Sequence, residues 1–278
     1  MKHAHHQNYD GGTTDLCEQI LLTIWPKLGD FHADIALVGG LAPRYLCAPA
    51  AASDPLSAQT LDLDLGIRIA AADNGMYAPL SWRLREEGFA LAAEGNRFVK
   101  ECDGVPVNID FLVESNGVSS GSVRMVSDIP TNAFPGVERA VHVARNHVIK
   151  GRDLLGAEVC ETVRVCEAGP YLCLKLTSYA QRAAAKDVFD VMRIVRSYDK
   201  GLDAVVDAFR SEEPHNPAYA AAAEVIRNQF QNERGRAAVH YADFCHGALK
   251  GQMPSAELNR LLDQAARDVV AAGKRLIG

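Results

Sequence analysis

The sequence predicts an α+β fold: a mixed β-sheet flanked by helices, followed by a C-terminal helical region. Three observations carry this. Short apolar segments ending in glycine or turn residues recur up to about residue 168. Two of them, "NRFVKEC" and "VPVNIDFLV", are joined by Asp103-Gly104, a hairpin signal, so the sheet is not fully parallel. After Pro170 the chain changes to alanine-rich runs with apolar residues at helical spacing. The expected domains are 1–168, an α/β domain, and 169–278, a helical one.

The elements follow in order. "DLCEQILLTIWPKL" predicts a helix with Thr14 or Asp15 as its cap. "ADIALVGG" predicts a short buried strand ending in Gly39-Gly40, with a helix, "LAPRYLCA", directly after it. A small-residue loop, "APAAASDPLSAQ", leads into the strand "TLDLDLGIRIA". "APLSWRLREEGF" reads as a helix, "FALAAE", "NRFVKEC" and "VPVNIDFLV" as successive strands, and "ESNGVSSGS" as a polar loop. Between 123 and 168 only "HVIKG" and "EVCETVRVCE" read as strands. "YLCLKLTSYAQRAAAKDVFDVMRIVRSYDKG" predicts a helix pair, or one helix broken near Lys186. Beyond residue 200 everything reads as helix, punctuated at "EEPHNP", "GR" and "GQMPS".

Composition narrows the function classes. The 278 residues are 48% hydrophobic and 23% charged, an ordinary globular balance. A net charge of −6 disfavours a broad nucleic-acid-coating surface. Seven cysteines, odd in number and without a C-x-x-C, point to reduced buried thiols in a cytoplasmic protein and away from a zinc site. No apolar run approaches the ~18 residues of a membrane span, so no membrane partner is expected. The N-terminal "HAHH" reads as a disordered tail rather than a metal site, and the histidines elsewhere show no ligand spacing. Arg139, Arg145, Lys150 and Arg152 read as a solvated face, with contact to an RNA acceptor as the alternative.

The candidate chemistry begins at "TLDLDLGI". Residues two apart in a strand share a face, so Asp62 and Asp64 project together, away from Leu61, Leu63 and Leu65. In "VNIDFLV", Asn108 and Asp110 likewise share a face, opposite Ile109 and Phe111. If the two strands are neighbours, three carboxylates converge. Their mutual repulsion then calls for shared cations, for which magnesium, a hard ion held by carboxylates and substrate phosphates, is the natural choice. Two such ions can align an attacking hydroxyl and a leaving pyrophosphate. Gly39 and Gly40, between a strand and a helix, allow the backbone to approach phosphate oxygens.

This order of parts resembles the nucleotidyltransferase superfamily, which includes the DNA polymerase β type and the minimal nucleotidyltransferases. The residues that carry the resemblance are Val38-Gly39-Gly40, then Asp62-Leu63-Asp64, then Asp110. It implies a nucleotidyltransferase-like fold in which Gly39 and Gly40 contact nucleotide phosphates. Asp62, Asp64 and Asp110 would hold two Mg2+ ions, or Mn2+ in their place, and Asp110 would help activate the acceptor hydroxyl. A second stretch, "LKLTSYAQRAAAKDVFDVMRIV", resembles the K-x-x-A-x-x-x-R-x-x-x-K/R-D-x-x-D signature of AbiEii-type nucleotidyltransferases, toxin-like proteins of abortive-infection and toxin–antitoxin systems. Lys175, Arg182, Lys186, Asp187 and Asp190 match it, with Ser178 where alanine is usual. The resemblance implies that Lys175 reaches the triphosphate and that Asp187 lies near the active centre. For Lys186 and Asp190 the alternative is an i,i+4 ion pair on a helix surface. Relatives carry R-x-S-x-D before the acidic pair. Thr60 stands for the serine and Ala58 for the arginine, whose role then falls to Arg44, Arg68 or Arg97. The implied partners are an NTP, an RNA (tRNA), protein or small-molecule acceptor, and a cognate antitoxin. A non-catalytic nucleotide- or partner-binding protein of the same fold is the second hypothesis.

Overall fold

The structure is a computed structural model and describes residues 4–8, 11–53, 56, 60, 62–68 and 77–278; Ala58 and Leu61 lie outside these. The chain forms two compact units. One comprises Gly11–Tyr45 and Gln59–Glu167; the other comprises Met1–Asp10, Leu46–Ala58 and Ala168–Gly278.

As described, the first unit is built on a mixed nine-stranded sheet. In chain order its elements are α1 (Gly11–Leu28), β1 (Ile35–Leu37), α2 (Pro43–Leu46), β2 (Asp62–Ile67), α3 (Ala78–Glu86), β3 (Ala90–Leu91), β4 (Phe98–Cys102), β5 (Val105–Glu114), β6 (Val123–Val126), β7 (Ile129–Phe134), α4 (Val137–His142), β8 (Arg145–Arg152) and β9 (Glu158–Val165). The strand order is β3-β4-β5-β2-β1-β9-β8. β4 pairs with the first half of β5 and β7 with the second half, so the two share one edge. β2–β5, β5–β7 and β1–β9 are parallel. The other pairings are antiparallel.

Alternation gives this sheet two distinct faces. Leu63, Leu65 and Ile67 of β2 lie level with Ile109, Phe111 and Val113 of β5, and all six side chains are fully buried. α1 covers this face: Leu22 packs against Gly151, and the Trp25 indole N–H donates to the Thr162 carbonyl at 2.8 Å. α3 is tied to the end of α1 by Arg83, whose Nη1 donates to the Lys27 and Leu28 carbonyls. On the opposite face, α4 lies over Gly66, where a Cβ would meet Val141 and Val38 at 3.0 Å. The same face carries Asp62 and Asp64 further toward the start of β2, since alternation puts residues 62, 64 and 66 on one side.

The second unit, as described, contains the six helices α5 (Ala168–Arg182), α6 (Ala185–Ser197), α7 (Leu202–Arg210), α8 (Tyr219–Gln229), α9 (Arg236–His246) and α10 (Ser255–Ile277). Small residues let them approach closely: a Cβ on Gly169 would lie 2.4 Å from the Ala208 carbonyl oxygen, and one on Gly273 would lie 2.7 Å from Phe230. The expected helix pair is present, with the break near Lys186 falling at Ala183, whose φ is +50°.

Several expectations are corrected. α1 begins at Gly11, and Thr14 is not its cap; the Thr14 hydroxyl instead accepts the Thr60 amide at 3.0 Å. "LAPRYLCA" yields one helical turn, because the chain after Gly40 first makes tight turns (Ala42 N–H to Gly39 carbonyl, 3.0 Å). "FALAAE" contributes only two residues of strand. The hairpin β6–β7 and helix α4 were not foreseen. Their turn, Ser127-Asp128, takes φ of +46° and +68° without the glycine or asparagine that ordinarily signals it. Of the histidines in "HAHH", His3 lies outside the described residues, and His6 is not part of a tail: it is 4% exposed and packs 5.0 Å from the Phe189 ring. The cysteines are all free, six buried and Cys160 exposed. Among the described residues, no helix is long and apolar enough to cross a membrane.

Glu114 anchors α4. Its carboxylate accepts the amides of Gly136 at 3.0 and 3.1 Å and of Glu138 at 3.2 Å, at the start of that helix. Burial pushes its pKa up, while these amides pull the other way and leave a net rise. Glu114→Ala should cost about 2–3 kcal/mol by leaving buried amides without an acceptor. Urea unfolding should show a lower midpoint with an unchanged slope.

Candidate functional site

The parallel register of β2 and β5 sets Asp62 level with Asn108 and Asp64 level with Asp110. The three aspartates therefore occupy one face of two adjacent strands. Thr60 fixes the entry to β2: its hydroxyl donates to the Asp62 carbonyl at 2.9 Å and accepts the Asp62 amide at 3.3 Å. With its amide on Thr14 as well, Thr60 positions Asp62 through the backbone.

Gly39 and Gly40 meet the acidic pair directly. A Cβ on Gly39 would lie 1.7 Å from Asp64 Oδ2, so only glycine fits there. The Gly40 amide points at the same oxygen from 3.4 Å, and the Val38 amide donates to the Asp64 carbonyl at 3.1 Å. The diglycine turn thus wraps the Asp64 side chain. The helix after it, Pro43–Leu46, is too short to add an appreciable dipole.

Arg97 completes the patch. Its Nη2 lies 3.0 Å from Asp110 Oδ2 and its Nη1 3.5 Å from Asp62 Oδ1. The Asn108 amide also donates to Asp62 Oδ1 at 2.8 Å. Of the three arginines that could replace the one absent at position 58, Arg97 is the one paired with the aspartates. Arg44 pairs with Asp15 at 2.7 Å and Glu18 at 3.0 Å of α1, and Arg68 with Asp34 at 3.3 Å. Asn108 had been placed on the polar face but not in the site; its offset of two from Asp110 was the available signal. Cys17 lies within the field of this patch: burial first, then Asp62 and Asp64, push its thiol up to about 12. It stays a neutral thiol and donates to the Thr60 carbonyl at 3.8 Å.

The donor chemistry suits a hard divalent cation: carboxylate oxygens on one face, with the backbone of a diglycine turn against one of them. The side chains as they stand are closed by Arg97. Among the described residues, no group of three or more His, Cys, Asp or Glu side chains is arranged to hold a metal ion.

Lys175, Arg182, Lys186, Asp187 and Asp190 belong to the helical unit and pair with one another. Lys175 Nζ lies 2.7 Å from Asp190 Oδ2 and 4.0 Å from Asp187 Oδ1. Lys186 Nζ lies 2.9 Å from both Asp190 oxygens. Arg182 grips Asp187 as a fork, at 2.7 and 2.5 Å. Asp187 and Asp190 are completely buried and Lys175 and Lys186 nearly so, which overturns the surface-pair reading of Lys186 and Asp190. Burial is the largest single influence on Asp190 and raises its pKa, but the two lysines and their hydrogen bonds together hold it below the usual carboxylate range.

Compared with protein-family models, with curated proteins and with solved structures, the chain gives no match.

Gly39→Ala should destabilise the protein by about 1–3 kcal/mol, the cost of overpacking a closed contact. Most of that cost should vanish in an Asp64→Gly background, as a double-mutant cycle by urea unfolding would show. For Asp190 the depressed pKa means the stabilising contribution is complete above its unfolded value of about 3.9 and is lost as pH falls through the folded value. Asp190→Asn should cost about 3–5 kcal/mol at pH 7 by removing the carboxylate that Lys175 and Lys186 share. It should also flatten the fall in stability below pH ~4, measured by denaturation across pH.

Proposed function

We propose that the protein is a metal-dependent nucleotidyltransferase that moves a nucleoside monophosphate from an NTP to a hydroxyl acceptor. The observation that supports it best is the meeting of Asp64, Asp110 and Asp62 on one face with Gly39 and Gly40 folded against Asp64. In the reaction, the acceptor oxygen bonds to the α-phosphorus, the bond to the pyrophosphate oxygen breaks, and the hydroxyl proton leaves the acceptor. Asp62, Asp64 and Asp110 would hold Mg2+ or Mn2+, which when bound supplies positive charge to the triphosphate and to the departing pyrophosphate. In this reading Asp110, 5% exposed and in the middle of β5, would take the acceptor's proton, a role given by the resemblance. The space beside Gly39 is taken by the Asp64 carboxylate, so the diglycine turn would hold that side chain, and phosphate contact by Gly39 and Gly40 enters by the resemblance alone.

Lys175 and Asp187 enter this proposal by the motif resemblance; in the helical unit Lys175 contacts Asp190 and Asp187, and Asp187 contacts Arg182. The same resemblance suggests the toxin of a toxin–antitoxin pair, with a cognate antitoxin as partner. The acceptor classes are a tRNA 3′ end, a protein side chain or a small molecule, and the net charge of −6 weighs against a long nucleic acid.

A second reading has its own observation. Arg97 already offsets charge on Asp62 and Asp110, which gives the cluster an electrostatic reason to exist without ions. On that reading the protein binds a nucleotide or a partner without turnover. Labelled NTPs offered with total RNA and with lysate protein separate the two. Transfer of label, reduced at least about 100-fold in Asp64→Asn, is the expected result. A magnesium-dependent thermal shift with an NTP but no labelled product would favour the binding-only reading.

A further inference from the structure

We propose that Arg97 is an exchangeable countercharge: it spans Asp62 and Asp110 in the ion-free protein, and a divalent cation competes with it for the same oxygens. The inference rests on the metal-dependent reading above and adds to it a side chain that sets how readily the ion enters.

The contacts have the form of an arrangement made to open. The nearest Arg97 nitrogen to each carboxylate is a different one: Nη2 at 3.0 Å from Asp110 and Nη1 at 3.5 Å from Asp62. Its Nε is buried and makes no hydrogen bond. Arg182, by contrast, uses Nε and Nη2 together on the one carboxylate of Asp187. A fork of that kind is the strong, geometrically fixed form of an arginine–carboxylate pair, and Arg97 forgoes it.

Exposure points the same way. The Arg97 side chain is 31% exposed, whereas that of Asp110 is 7% exposed. The arginine can therefore withdraw while the carboxylate stays. It has somewhere to go: Arg97, Asn96 and Asn108 line a cavity of about 470 Å³ together with the turn Ala92–Glu94. Asp62 keeps the Asn108 amide as a donor when Arg97 leaves, so its carboxylate remains oriented.

The electrostatics make the exchange a competition. The guanidinium carries one positive charge and cannot be neutralised by pH, so it offsets one of three negative charges. A divalent ion brings two charges to the same oxygens, and both cations cannot occupy them at close range. Removing Arg97 should thus strengthen binding of the ion, the opposite of what loss of a purely structural residue would do.

The test is Mn2+ binding to the full chain without nucleotide, followed by titration calorimetry and by the electron paramagnetic resonance signal of free Mn2+. Wild type, Arg97→Gln and Arg97→Lys are compared, each alone and combined with Asp64→Asn. Arg97→Gln should bind Mn2+ at least about tenfold more tightly than wild type, with Asp64→Asn removing the site. Arg97→Lys, which keeps the charge but not the two-pronged reach, should gain several-fold, and it serves should the glutamine variant not fold. Equal or weaker affinity in the Arg97 variants, at a site that Asp64→Asn abolishes, would overturn the exchange and leave the metal site standing. If none of the chains binds Mn2+ in a way that depends on Asp64, the metal-dependent reading falls, and this inference with it.

Discussion

The register between β2 and β5 is the constraint on which everything else in the sheet unit depends. A slip of one residue would turn every side chain of β2 to the other face. Asp62 and Asp64 would then enter a fully buried layer of leucine, isoleucine and phenylalanine, and Leu63 and Leu65 would face the diglycine turn. Burying the two carboxylates that way costs far more than any alternative pairing could return. The apolar face thus selects the register, and the register delivers the acidic patch. Asp64 pays a second local debt to Gly39, because no larger residue leaves room for its carboxylate.

The patch and the buried charges of the helical unit solve the same electrostatic problem in different ways. Asp187 and Asp190 are sealed off from solvent, and each is satisfied by cations on its own or the adjoining helix. Their pairs are short and multiple, as buried ions require. Around the aspartates of the sheet unit lie Arg97, the Asn108 amide and the backbone N–H of Gly40. Tight, closed compensation of this kind suits an element that holds helices together.

Legibility in the sequence followed how local each cause was. The acidic pair, the later aspartate and the diglycine turn could be read because strand alternation is a two-residue rule and β2 and β5 obey it. The mixed sheet could be read from one hairpin signal. The β6–β7 hairpin could not, since its turn residues are Ser127 and Asp128 and Pro130 interrupts the strand pattern. Arg97 could be named only as one of three candidates, because choosing among them requires knowing which strand lies beside β5. The burial of His6 depended on Phe189 and Phe244, far along the chain, and nothing near the N-terminus announces it. The depth of the Lys186–Asp190 pair was likewise invisible: i,i+4 spacing is the same on a wet helix face and a dry one.

The path of the chain has a consequence for how the molecule is made. The helical unit draws on three stretches, and the segment Leu46–Ala58 is one of them. Its carbonyls at Ala51 and Leu56 are claimed by Arg193, which for Leu56 lies 137 positions downstream. During synthesis on the ribosome, that segment emerges long before its guanidinium partner exists. A fragment ending at residue 167 would carry it with no place to settle. The two units are therefore not beads to be cut apart at their last junction, and the nascent chain must hold an early loop in waiting until late helices arrive.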